Sequence, residues 1–150
     1  MNSSGSHDEG NAITDLGGGV FRTGPASQRY GPLDQYLMGL RTSEEVPPFF
    51  IIRNPVLDGV QSAERAPQSN VDIRGTRRDV TIAEVIAASG PRVPPPAPNP
   101  APWRVAFLYV TEGVAADAAN VALVNQIRSQ FESYFPTSTE GRLSIETRLR

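Results

Sequence analysis

Six prolines in nine residues, at 94, 95, 96, 98, 100 and 102, restrict this chain more than any other feature. Each fixes φ at about −65° and has no N–H to donate, so the stretch is neither helix nor interior strand. It runs extended, as polyproline II or as a wandering loop. A ligand for a proline-binding partner has the same composition. Well-patterned segments on both sides favour a stiff internal connection across residues 91–102.

Before that connection, residues 1–10 are small and polar and are expected to be disordered. Asp15-Leu16-Gly17-Gly18-Gly19 reads as a glycine turn and Val20-Phe21-Arg22-Thr23 as a short strand. A phosphate loop needs a helix start after its glycines, and here a β-branched and aromatic run follows instead. In Tyr30–Leu40, the densest apolar segment of the first half, Pro32 suits a first helical turn. Leu33, Tyr36, Leu37 and Leu40 fall at helical spacing, giving a short helix over 32–38 that Gly39 ends. Ser43-Glu44-Glu45-Val46 can open one more helical turn, stopped by Pro47-Pro48. Phe49-Phe50-Ile51-Ile52 reads as a buried strand ended by Asn54-Pro55. A polar loop over 56–70 follows, and Val71–Val80 alternates about Gly75 as a strand or a loose hairpin with exposed arginines. Thr81-Ile82-Ala83-Glu84 fits a capping box, and Ser89-Gly90-Pro91 ends the helix it opens.

Beyond the prolines, Trp103–Val110 is apolar on nearly both faces and is expected to be a central strand. A helix over 115–135 carries Val121, Val124, Ile127, Phe131 and Tyr134 or Phe135 in one stripe, and Pro136 ends it. Leu143, Ile145, Thr147 and Leu149 alternate with polar residues as a closing strand, so that strand, helix and strand make a βαβ unit.

Composition narrows the function classes. The 150 residues suit one domain, and a net charge of −2 from 14 basic and 16 acidic residues leaves no footprint for nucleic acid or an anionic membrane. No apolar run approaches the roughly 20 residues of a membrane span, and the first residues lack the pattern of a signal peptide. Without cysteine there are no disulfides, thiolate metal sites or thiol nucleophile. The single histidine, His7, stands beside Asp8 and Glu9, but a zinc site needs three or four converging ligands. Asp8, Glu9, Asn11 and Asp15 offer oxygens for calcium at spacings that do not match an EF-hand loop, which favours a solvated acidic turn. Asp34, set among Leu33, Tyr36 and Leu37, needs a partner if buried, either in a cap or brace or in the wall of a site. Tyr36 and Met38 on so short a helix read first as core.

Taken in order, several segments resemble the downstream half of secreted bacterial zincin-like metallopeptidases. They are Gly10-Asn11-Ala12-Ile13, Asp15–Thr23, Tyr30–Leu40, Glu45-Val46-Pro47-Pro48-Phe49-Phe50, Val80–Pro94 and Trp103-Arg104-Val105-Ala106-Phe107. The likeness covers the chain from about residue 10 onward and rests on the order of the segments. It implies an α+β domain equivalent to the lower part of a zincin catalytic domain. That means a mixed sheet, one long C-terminal helix and two or three short helices, within one subdomain over 11–150. It implies secretion, and zinc and peptide-bond hydrolysis for the full-length family. In that mapping Met38 lies in the methionine-bearing turn as the floor beneath the metal, with Asp34 and Tyr36 as candidates for the site wall. This chain departs from the family in having no His-Glu-x-x-His, so it supplies neither the two zinc ligands nor the base. It is then either part of a longer gene product, partnered by the missing N-terminal half of the domain and a protein or peptide substrate, or a degenerate relative. The reading from a different class is a noncatalytic protein-interaction module that uses the groove beside Asp34 or the proline-rich segment.

Overall fold

The computed structural model describes residues 11–57, 68–97 and 100–148. The fold is α+β: the described residues form an antiparallel four-stranded sheet, a small parallel sheet and three helices, the long one near the C-terminus. Contacts cluster into two compact units, Met1–Pro96 and Ala97–Arg150, divided within the proline-rich segment. Among the described residues no helix is long and apolar enough to cross a membrane.

In the first unit β1 (Asn11–Gly17) and β2 (Val20–Ala26) form a hairpin around the expected glycine turn. β1 itself had no clear sequence signal, because its apolar positions are only Ala12, Ile13 and Leu16. β3 (Phe49–Leu57) and β4 (Asp72–Val80) complete the sheet in the order β1-β2-β4-β3. β4 is one central strand and not a hairpin. Ile13, Phe21 and Ile73 form the core with Phe50 and Ile52 packed against them. Phe21 is 0 % exposed and stacks on Phe50 at 5.7 Å between centroids. Arg77 lies 4.5 Å over the Phe50 ring while its guanidinium bonds Asp15 and Asp79 at 2.9 and 2.6 Å.

The expected end of β3 at Asn54-Pro55 is corrected. Asn54 takes φ 50°, and the pairing skips from Arg53↔Thr76 to Val56↔Arg74, setting Asn54 and Pro55 against Gly75 alone. This is a bulge, two residues opposing one. β3 is an edge strand, so the N–H that Pro55 lacks is not required by a second neighbour. A Cβ at residue 75 would stand 2.4 Å from Ile52 Cγ2 and 2.9 Å from Arg53 O, so the bulge requires glycine there. Its edge position also makes β3 less buried than expected: Phe49 is inside, Phe50 and Ile52 are half-buried and Ile51 is exposed. Of the polar loop expected over 56–70, residues 56 and 57 belong to β3 and 58–67 lie outside the described residues.

The three helical segments of this unit form as the sequence indicates. α1 spans Pro32–Met38, a 3-10 turn spans Ser43–Glu45, and α2 spans Ile82–Ser89. At α2 the Thr81 hydroxyl accepts the Glu84 N–H at 3.4 Å, and the Glu84 carboxylate accepts the Thr81 N–H at 2.8 Å.

In the second unit β5 (Trp103–Arg104) pairs in parallel with β6 (Ile145–Glu146), with α3 (Ala118–Ser138) between them in sequence. The βαβ connection is therefore present, but its strands are two residues long. Beyond Val105, whose N–H donates to Glu146 O at 3.0 Å, the chain from Ala106 to Val110 leaves the ladder. A strand apolar on both faces needs cover on both, and only Val105 and Phe107 are part-buried here, Phe107 packing edge-on to Phe131 at 5.6 Å. α3 starts three residues later than expected, because the Asp117 carboxylate caps it by accepting the Ala119 N–H at 3.2 Å. It also runs through Pro136. Proline removes one intrahelical bond, and the next turn still closes through Thr139 N–H to Phe135 O at 3.0 Å. Phe135 gathers Trp103 and Phe131, with ring centroids 6.1 and 5.4 Å from its own, while Leu143 and Ile145 are buried. Of the expected stripe, Val121 and Ile127 are exposed, Val124 and Phe131 are half-buried and Phe135 is inside.

Thr147, the residue after β6, is joined to α3 by a polar network. Glu132 Oε1 accepts from the Thr147 N–H at 2.8 Å and from its hydroxyl at 2.6 Å, and Arg128 donates to that hydroxyl oxygen at 2.9 Å.

Two outcomes follow from this packing. Phe21→Ala should destabilise the chain by about 3–5 kcal/mol in denaturant unfolding, the range for truncating a buried phenylalanine. The Thr147 hydroxyl, then the Thr147 N–H, hold the Glu132 carboxyl below the ordinary glutamate value. A lowered folded pKa adds stability above the unfolded value of about 4.3 and loses it as pH falls through the folded one. Fluorescence of Trp103, the one tryptophan, should therefore report an acid transition of this unit that Glu132→Gln flattens.

Candidate functional site

Asp34, Tyr36 and Met38 all lie on α1. Seven residues make fewer than two turns and have little helical stability of their own, so the ends must be held. At the start Gly31 is the N-cap, and its N–H donates to Asp34 Oδ2 at 2.9 Å. Asp34 thus satisfies one of the free donors at the helix start, where its charge also meets the positive end of the helix dipole. The cap role weighed from the sequence is the geometry observed. At the other end Gly39 takes φ 80° and ψ 27°, its N–H donates to Tyr36 O at 2.9 Å, and the Leu40 N–H reaches Gln35 O at 2.7 Å. That nested pair is a Schellman ending, which needs a left-handed residue at this position.

Tyr36 is buried at 5 % exposure, and its hydroxyl accepts the Arg92 N–H at 3.0 Å. Met38, half-buried, is the last helical residue and leads directly into the Gly39 turn. Two residues that the sequence did not single out complete the cluster. Gln35 is 0 % exposed; its Nε2 donates to Tyr30 O at 2.9 Å and its Oε1 accepts Arg41 Nε–H at 3.0 Å. The available signal was a polar side chain inside an apolar helical segment, which asks for buried partners. Arg92 donates Nε–H to Leu37 O at 2.9 Å and also bonds Pro94 O. Its contacts on α1 lie 55 and 56 residues away in sequence, beyond the reach of any local pattern.

The described residues hold no group of three histidine, aspartate or glutamate side chains that converge on a metal position. Asp15 instead accepts the Gly17 N–H at 2.8 Å and pairs with Arg77, whose hydrogen bond is the main cause of its lowered pKa. Asn11 is buried, donating to Gly24 O at 3.0 Å and Gln68 O at 2.9 Å. His7, Asp8 and Glu9 lie outside the described residues. Among the described residues the donor set therefore does not fit a zinc ion.

The chain matches no family model, no curated protein and no solved structure.

Gln35→Ala removes a fully buried side chain together with its hydrogen bonds to the Tyr30 carbonyl and to Arg41. It should lower stability by about 1–3 kcal/mol in urea unfolding, the range for losing a buried hydrogen-bonding group.

Proposed function

We propose that this chain is the downstream part of a zincin-like metallopeptidase domain, contributing scaffold and site wall but not the metal ligands. The observation that carries the reading is the α1 turn. Met38 occupies the last helical position before a left-handed Gly39, on a helix tied down at both ends. In the resemblance drawn from the segment order, that is where the methionine-bearing turn falls. Tyr36 and Asp34 then support the wall from behind, with Tyr36 buried and Asp34 engaged with the helix start.

The exposed apolar surface of the second unit supports the reading too. Leu108 and Val110 are 84 % and 81 % exposed, and Val114, Leu123 and Ile127 are also open. Surfaces of this kind are expected where a covering half of a domain is supplied from elsewhere. The same exposure favours a second reading, a noncatalytic interaction module covered by a partner protein.

Expression of the chain alone and of the gene product extended upstream separates them. On the first reading the chain alone neither hydrolyses casein nor retains stoichiometric zinc. The extended product contains an in-frame His-Glu-x-x-His segment and cleaves casein in a chelator-sensitive way. Chelator-sensitive cleavage by the chain alone would overturn it, and so would an upstream frame without the motif.

A further inference from the structure

We propose that Arg92 is a latch that couples the start of the proline-rich segment to the C-terminal end of α1, so that the two open and close as one element. This goes beyond the peptidase reading and does not depend on it. Three contacts converge. The Arg92 N–H donates to the Tyr36 hydroxyl at 3.0 Å, and Nε–H donates to Leu37 O at 2.9 Å. The guanidinium also bonds Pro94 O and so folds its own segment back on itself.

Leu37 O is one of the last carbonyls of α1, which have no partner inside the helix, and a cation there meets the negative end of the helix dipole. The latch thus supplies what a seven-residue helix cannot supply for itself. Gly39 is fitted to it from the other side. A Cβ at that position would stand 2.5 Å from Arg92 Nη2 and 2.6 Å from Cζ, so the guanidinium rests on a bare backbone. Gly39 accordingly answers two demands at once, the left-handed turn and the seat for Arg92.

The coupling predicts that a change at one end is felt at the other. Tyr36→Phe keeps the buried ring and removes only the acceptor of the Arg92 N–H. In the closed latch the Arg92 side chain is engaged and the Arg92–Val93 bond is a poor trypsin substrate. Tyr36→Phe should speed cleavage of that bond about tenfold relative to the other arginine sites. It should also speed hydrogen exchange at the Gly39 and Leu40 amides by a similar factor, leaving those of β2 and β4 unchanged. Gly39→Ala, which pushes on the guanidinium from the helix side, should give the same change at Arg92–Val93. The latch is overturned if exchange at Gly39 and Leu40 does not respond to Tyr36→Phe, or if the Arg92–Val93 rate is unchanged in both variants. Equal acceleration at every arginine site and every amide would overturn it as well, because that marks general loosening.

Discussion

The stacked pair Phe21 and Phe50 is the contact on which the first unit depends. β2 and β3 are not neighbours in the sheet; β4 runs between them. A ring-to-ring contact between their side chains therefore fixes three strands at once, with Ile73 of β4 in the same cluster. A one-residue slip of β4 would turn Ile73 to the opposite face and bring Asp72 or Arg74 to the core. Arg77 closes the cluster from outside, its guanidinium over Phe50 and its donors on Asp15 and Asp79. One planar cation thus covers an aromatic face and joins β1 to β4. A lysine ammonium, a compact and strongly hydrated charge, does not do this. All 14 basic side chains in the chain are arginines, and Arg22 with Asp72 and Arg92 with its carbonyls use the same fork.

What was legible in the sequence was what local chemistry decides. Gly39 ends α1, Thr81 and Glu84 open α2, and the glycine run makes the β1–β2 turn, because each depends on residues within four positions. The alternation of Leu143, Ile145 and Thr147 with exposed neighbours was legible too, although only two of these residues, Ile145 and Glu146, make a ladder. The misreadings arose where a distant partner changes the local rule. Asn54-Pro55 reads as a stop until Gly75 on the neighbouring strand makes room for a bulge. Pro136 reads as a stop until the following turn closes around it. In the candidate site Asp34 was readable as a cap. Arg92 was not, because its role exists only once residues 36–39 and 92–94 are brought together.

The second unit obeys the same physics with fewer resources. Its aromatic cluster gathers at one end of α3, where Phe131 and Phe135 meet Phe107 and Trp103. The charged pair Arg128 and Glu132 is spent on Thr147. Toward the N-terminal end of α3, Val121, Leu123 and Ile127 are exposed, and that half of the helix carries no charged side chain. A water-facing helix is ordinarily lined with charge, whereas this one shows aliphatic groups, amides and alanines. Val110 and Leu108, from the run that reads as a central strand, are open as well. The sequence thus encodes burial for more surface than the described residues cover. In a strand apolar on both faces, one face packs on its own helix and the other requires a second layer. The shortness of β5 and the exposure after it are two expressions of one deficit. Parallel pairing of this apolar run stops at Arg104, where cover on the second face ends.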